Sequence, residues 1–133
     1  MKAELESVST TAAPAAIGPY SQAVRFGQFL FVSGQIPLEP STGELVSDPS
    51  SGVITSQTHR VLQNLKAILE ASNGSLADVI KTTVFLIDLD DFKSVNTVYA
   101  TYFDLTEPAR STVQVAALPK GARIEIEAIA IIR

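Results

Sequence analysis

Ser21–Phe26 and Phe29–Ser33 are short runs rich in apolar and aromatic residues, and they predict a pair of β-strands. Gly27-Gln28 between them is a two-residue turn of the Gly-X type. The preceding "APAAIGPYSQAV" contains two prolines and predicts an extended arm up to Tyr20, with residues 1–12 flexible. "GQIPLEPSTGEL" has two prolines and two glycines and predicts a loop with at most a short edge strand. From Thr55 to Ser72 the apolar residues take a helical spacing. Val61, Leu62, Leu65, Ile68 and Leu69 fall on one helical stripe, and Asn73-Gly74 supplies the stop. Ser75 with Asp78 predicts a capped short turn. "VIKTTVFLI", Val79 to Ile87, is β-branched and strand-like. In "DFKSVNTVYATYF" Phe92, Val95, Tyr99 and Phe103 line one side of a second helix, with an Asp at 90 or 91 in the N-cap position.

The chain ends in "PARSTVQVAALPKGARIEIEAIAIIR", two further strands joined by a turn. The order ββαβαββ predicts an α+β fold: a single sheet with two helices on one face. The last strand is apolar on both sides beyond Glu127, with Ile124, Ile126, Ala128, Ala130 and Ile132 on one face and Ile129 and Ile131 on the other. A strand of that kind is buried twice. Two helices cover one face only, so the bare face is expected to pack in a homo-oligomer.

Glu125 and Glu127 interrupt this apolar strand and share a face. A charge in a buried interface is costly unless paired or wet. Two readings follow. The glutamates form structural ion pairs with Arg110, Arg123 or Lys120, or lie on a solvated end of the strand. Alternatively, Arg110 is left to grip a ligand carboxylate with its planar fork, and a glutamate positions a water as general base.

Composition narrows the chemistry. The 133 residues carry a net charge of −4 and are 46% hydrophobic, as in one folded domain. No Lys/Arg cluster offers a sequence-independent grip on nucleic acid. No apolar run approaches the roughly 20 residues of a membrane span. The N-terminal stretch "MKAELESVSTTAAPAA" has no secretory apolar region and no Arg, which points to the cytoplasm rather than to a mitochondrial presequence. With no Cys and a single His, His59, thiolate chemistry is excluded, and multi-His metal sites and His-based triads nearly so. Other candidates are Tyr20 after the constrained Gly18-Pro19, Ser33 and Gly34 at a strand end, and Asn96 beside the apolar stripe of the second helix. Each also has an ordinary reading: a core or surface tyrosine, a turn, a satisfied core amide. His59 reads as part of a solvated helix face.

In order and spacing, "APAAIGPYSQAV", "FVSGQIPLEPSTGEL", "KTTVFLIDLDDF", "VNTVYATYF" and "PARSTVQVAALPKGARIEIEAIA" together resemble the Rid (YjgF) family, in its reactive intermediate deaminase A branch, from Ala13 to Ile131. The resemblance implies a chorismate-mutase-like fold, a homotrimer with a sheet-lined centre, and sites in the clefts between subunits. It implies hydrolysis of small 2-imino acids (2-iminobutanoate, 2-iminopropanoate) to 2-keto acids and ammonia, without cofactor or metal and without a nucleic-acid or membrane partner. Arg110 would bind the carboxylate and Glu125 handle the water. Tyr20, Ser33, Gly34, Asn96 and Thr112 would line the pocket. The chain departs from the family in having Thr112 where many members have Cys, a longer "VSDPSSGVIT" loop, and a short segment between Phe103 and Pro108. The competing functions are a non-catalytic binder of small carboxylates, a chaperone-like module and a weak ribonuclease. The acidic charge and single His argue against the last.

Overall fold

The computed structural model describes residues 4–133. Six strands and two helices follow in the order β1 (Leu5–Val8), β2 (Ala23–Phe26), β3 (Phe29–Gln35), α1 (Val53–Ala71), β4 (Val79–Leu86), α2 (Phe92–Tyr102), β5 (Ala109–Gln114) and β6 (Ile124–Ile131). They build a single mixed sheet of spatial order β1-β2-β3-β6-β4-β5. β6 inserts between β3 and β4, antiparallel to both, while β5 pairs parallel to β4 along the far edge. The last two strands are therefore not a hairpin, because β4 lies on the other side of β6 from β3 and separates β6 from β5.

β1 is an addition to the predicted order. Residues 1–12 were expected to form a flexible arm. Instead Leu5–Val8 pair antiparallel with β2, Leu5 opposite Phe26 and Val8 opposite Ala23. Residues 1–3 of that expected arm lie outside the described residues. Gly27 turns the β2–β3 hairpin with φ +61°, where a Cβ is disfavoured. The expected edge strand in the following loop amounts to one isolated bridge, Leu38 to Leu45.

α1 lays Val61, Leu62, Leu65, Ile68 and Leu69 fully buried against the sheet. It ends as Asn73-Gly74 predicted. Asn73 takes the left-handed conformation at φ +62°, and the N–H groups of Asn73 and Gly74 donate to the carbonyls of Glu70 and Leu69. Ser75 and Asp78 form the reciprocal capping box of the short 3₁₀ turn that follows. At α2 the expected cap shifts. Asp91 occupies the N-cap position without a side-chain capping bond, and Asp88 instead caps the preceding 3₁₀ turn by accepting from Asp90 N–H at 2.9 Å. Asp91 is engaged with Arg123, whose Nη2 donates to both carboxylate oxygens at 3.0 and 2.9 Å.

The core lies between the sheet and the two helices. Leu30, Val32, Val84, Leu86, Ile124, Ile126, Ala128 and Ala130 face the helices and are buried. The residues alternating with them face away. Leu5, Phe26, Phe29 and Phe31 are large, apolar and exposed on that side, and Ile129 and Ile131 are only half-buried. Within one chain, the second burial expected for the last strand is thus unmet.

Candidate active site

Arg110 sits on the edge strand β5, in register with Thr82 of β4, which faces the helices and is fully buried. Arg110 shares that face. Its guanidinium carbon lies 4.7 Å from the ring centre of Tyr99 and 5.4 Å from that of Phe92. Neither of the two ion pairs among the described residues involves Arg110. Two residues on, Thr112 Oγ1 is buried without a hydrogen-bond partner, and so is Asn96 Oδ1 on α2. Buried polar atoms are normally satisfied, so the two orphans stand out, although only Asn96 shares a cavity with Arg110. Arg110 and Asn96 line one cavity of about 550 Å³ with Tyr99, Phe103 and Glu107.

Phe92 corrects the sequence reading. Its spacing puts it on the apolar stripe of the second helix, yet it is 41% exposed and its ring faces Arg110, while Val95, Tyr99 and Phe103 are in the core. Tyr99 bridges the two roles. Its hydroxyl meets Thr82 Oγ1 at 2.7 Å in the interior, and its ring face meets Arg110. Burial raises the Tyr99 hydroxyl above its usual pKa, against the opposing pull of Thr82 and Arg110.

Tyr20, Ser33, Gly34 and Glu125 line a second cavity, of about 460 Å³. It forms where β3 carries a bulge: three residue steps from Val32 to Gln35 span two steps of β6, from Ala128 to Ile126. The extra residue places Ser33-Gly34 beside Glu125. A Cβ on Gly34 would overlap Glu125 Oε2 and come within 2.8 Å of its Cδ, so only glycine lets the carboxylate lie over this backbone. Ser33 is fixed by its Oγ donating to Ser21 O at 2.6 Å. Tyr20 is 53% exposed, with its hydroxyl accepting from Ile17 N–H at 3.3 Å. Sequence reasoning missed Gln22. Its buried amide holds the cavity wall, accepting from Thr10 N–H at 2.7 Å and donating to Pro14 O at 2.7 Å. An amide next to an apolar strand was its only signal. Lys120, read before only as an ion-pair candidate, also lines this cavity from a left-handed backbone position, φ +58°.

No ion pair among the described residues involves Glu125 or Glu127. Arg123 is taken by Asp91, Lys120 Nζ donates to Gly43 O at 3.3 Å, and Arg110 is on the other face. The structural-ion-pair reading therefore fails within the chain. The two glutamates also separate. Glu127 faces a different depression of about 300 Å³ with Phe31, Lys81, Thr83 and Ile129. Burial raises the Glu125 carboxyl above the usual carboxylate pKa, and the neighbouring charge of Glu127 adds to the rise. His59, read as solvated, is instead half-buried, with Nδ1 3.0 Å from the Tyr102 hydroxyl between the helices.

The sequence profile of the endoribonuclease L-PSP family matches residues 10–132. A RutC family protein of Pyrococcus horikoshii is 56% identical over 94% of this chain and 96% of its own length. The mouse protein named 2-iminobutanoate/2-iminopropanoate deaminase is 51% identical, over 93% of this chain and 89% of its own. The crystal structure of E. coli TdcF with bound serine superposes with a TM-score of 0.90 at 47% identity, covering 96% of this chain and 99% of that one. On that match and these identities, the chain belongs to the endoribonuclease L-PSP family, the family of the Rid (YjgF) proteins.

Proposed function

We propose that the protein is a hydrolytic deaminase of small 2-imino acids, working as a homotrimer whose sites are shared between neighbouring subunits. The observation that carries this is the placement of Arg110 and Glu125 on opposite faces of one sheet. A single chain cannot bring both to one small substrate. A second copy packed on the exposed apolar face can, bringing the Arg110, Asn96 and Thr112 half-site of one subunit against the Tyr20, Ser33, Gly34 and Glu125 half-site of the next. The names of relatives about 50% identical support the substrate class, and bound serine in TdcF fits a pocket for a small amino-acid-like carboxylate.

The chemistry follows from these groups. Arg110 holds the substrate carboxylate through paired N–H donors. Glu125, ionised, takes a proton from a water as its oxygen attacks the imine carbon. The resulting carbinolamine receives that proton on nitrogen. The carbinolamine hydroxyl then gives up its proton, which passes to nitrogen as the C–N bond breaks, so that ammonia leaves and the carbon becomes the ketone of a 2-keto acid. One water is consumed and one ammonia released. A general base of this kind contributes roughly 10²–10⁴-fold. The ribonuclease reading has less support, because the single histidine is engaged with Tyr102 and lines neither cavity.

Subunit mixing tests the proposal. Arg110→Ala and Glu125→Gln should each be inactive in an assay where an amino-acid oxidase generates the imine. Unfolded together and refolded, they should recover activity at about a quarter of the interfaces, where an intact Arg110 meets an intact Glu125. Absence of recovery in mixed trimers would refute the shared site.

A further inference from the structure

We infer that Phe92 and Tyr99 are positioning residues for carboxylate binding, a pair of ring faces that hold the Arg110 guanidinium while leaving its N–H edge free. This rests on the reading of Arg110 as the carboxylate-binding residue. The guanidinium lies 4.7 Å from Tyr99 and 5.4 Å from Phe92, inside the range of cation–π attraction. An acidic partner would have fixed it equally well but would have consumed the donors that a ligand needs. A ring face attracts the cation and accepts none of its in-plane N–H groups. The flexible arginine side chain is thus restrained before the ligand arrives, which reduces the entropy lost on binding.

The two rings differ in how they are supported. Tyr99 is 8% exposed, anchored by its hydroxyl to Thr82 and by its ring against Phe103 at 4.6 Å. Thr82 is the register neighbour of Arg110, so the anchor and the guanidinium spring from adjacent strand positions. Phe92 is 41% exposed at the start of α2. Core packing does not account for it, and the contact with Arg110 does. The difference allows the ring-face role to be separated from stability.

The test measures the affinity of pyruvate, a small 2-keto acid, by calorimetry and as an inhibitor of imine turnover, together with melting temperature. Phe92→Leu should weaken pyruvate binding about 3- to 10-fold and raise KM alike, with kcat within about twofold and an unchanged melting temperature. Tyr99→Phe should do the reverse, keeping the affinity but melting earlier, because Thr82 Oγ1 is left buried and unpaired. In an Arg110→Ala background, Phe92→Leu should have no further effect. Wild-type affinity in Phe92→Leu with a large loss in Arg110→Ala overturns the inference and leaves the role of Arg110 intact. An equal loss from Phe92→Leu with and without Arg110 overturns it as well, since Phe92 would then touch the ligand itself. Wild-type affinity in Arg110→Ala would instead refute the reading beneath it.

Discussion

Arg110 and Glu125 belong to one sheet and point from its opposite faces. Arg110 is in register with Thr82 and, through β4, with Ala128 of β6, all three on the helix side. Glu125 is in register with Phe85, on the bare side. Two strand spacings and three residue steps put their Cα atoms about 14 Å apart, before the opposite directions of the side chains are counted. If both serve one substrate, assembly is part of catalysis.

Assembly is the first expectation. Light scattering should give three times the 14.2 kDa chain mass at micromolar concentration. Phe31→Asp places a charge in the middle of the exposed apolar face and should yield monomers that keep their fold by circular dichroism but hydrolyse no imine. Active monomers would refute the shared site.

Glu125→Gln should lose most imine hydrolysis while keeping the trimer and its affinity for a keto acid. Glu127→Gln should stay within a few-fold of wild type, because Glu127 lines a separate depression. The same coupled assay run on both variants decides, and an inactive Glu127→Gln would reverse the assignment.

The acid limb of kcat should lie above the ordinary carboxylate value of 4.5, because burial and then Glu127 raise the Glu125 pKa and the base must be ionised to act. Removing one cause should lower it, so Glu127→Gln should shift the acid limb to lower pH. The same rise acts on stability with a definite sign. The contribution is full below the unfolded pKa, where the carboxyl is protonated in both states, and is lost as pH rises through the folded value. Glu125→Gln should therefore gain in melting temperature over wild type at neutral pH, and the gain should vanish towards pH 4.

Arg110→Lys should be nearly as damaging as Arg110→Ala. Lysine keeps the charge but loses the two-pronged hydrogen bond and the flat surface that stacks on Tyr99 and Phe92. A loss of roughly 2–4 kcal/mol, about 30- to 1000-fold in kcat/KM, is expected from steady-state kinetics. Near-normal kinetics would make Arg110 structural.

Gly34→Ala should cost more than tenfold in turnover with little change in melting temperature. The added methyl displaces the Glu125 carboxylate, which is the free end of a side chain and moves more easily than backbone. Unchanged activity would mean that the position of the carboxylate over Gly34 is not the productive one.

Both helices and five of the six strands were legible in the sequence, because local periodicity and caps are local physics. The stripe of α1 was read residue by residue, and the Asn73-Gly74 stop and the Ser75/Asp78 box formed as their side-chain chemistry dictates. The conflict at Glu125 was also legible, since a carboxylate in an Ile/Ala strand stands out against its neighbours. What tertiary structure alone decided depends on pairing between distant segments. That β6 would enter between β3 and β4 follows from no local pattern, and it is this insertion that sets Glu125 over the Ser33-Gly34 bulge. The short "LESV" stretch carries too little apolar pattern to announce a strand, and it becomes β1 because β2 offers an open edge. Phe92 had the spacing of a core residue, but the packing of α2 against the edge strand turned its ring towards Arg110. Sequence periodicity tells which residues share a face. Only the completed sheet tells what each face meets.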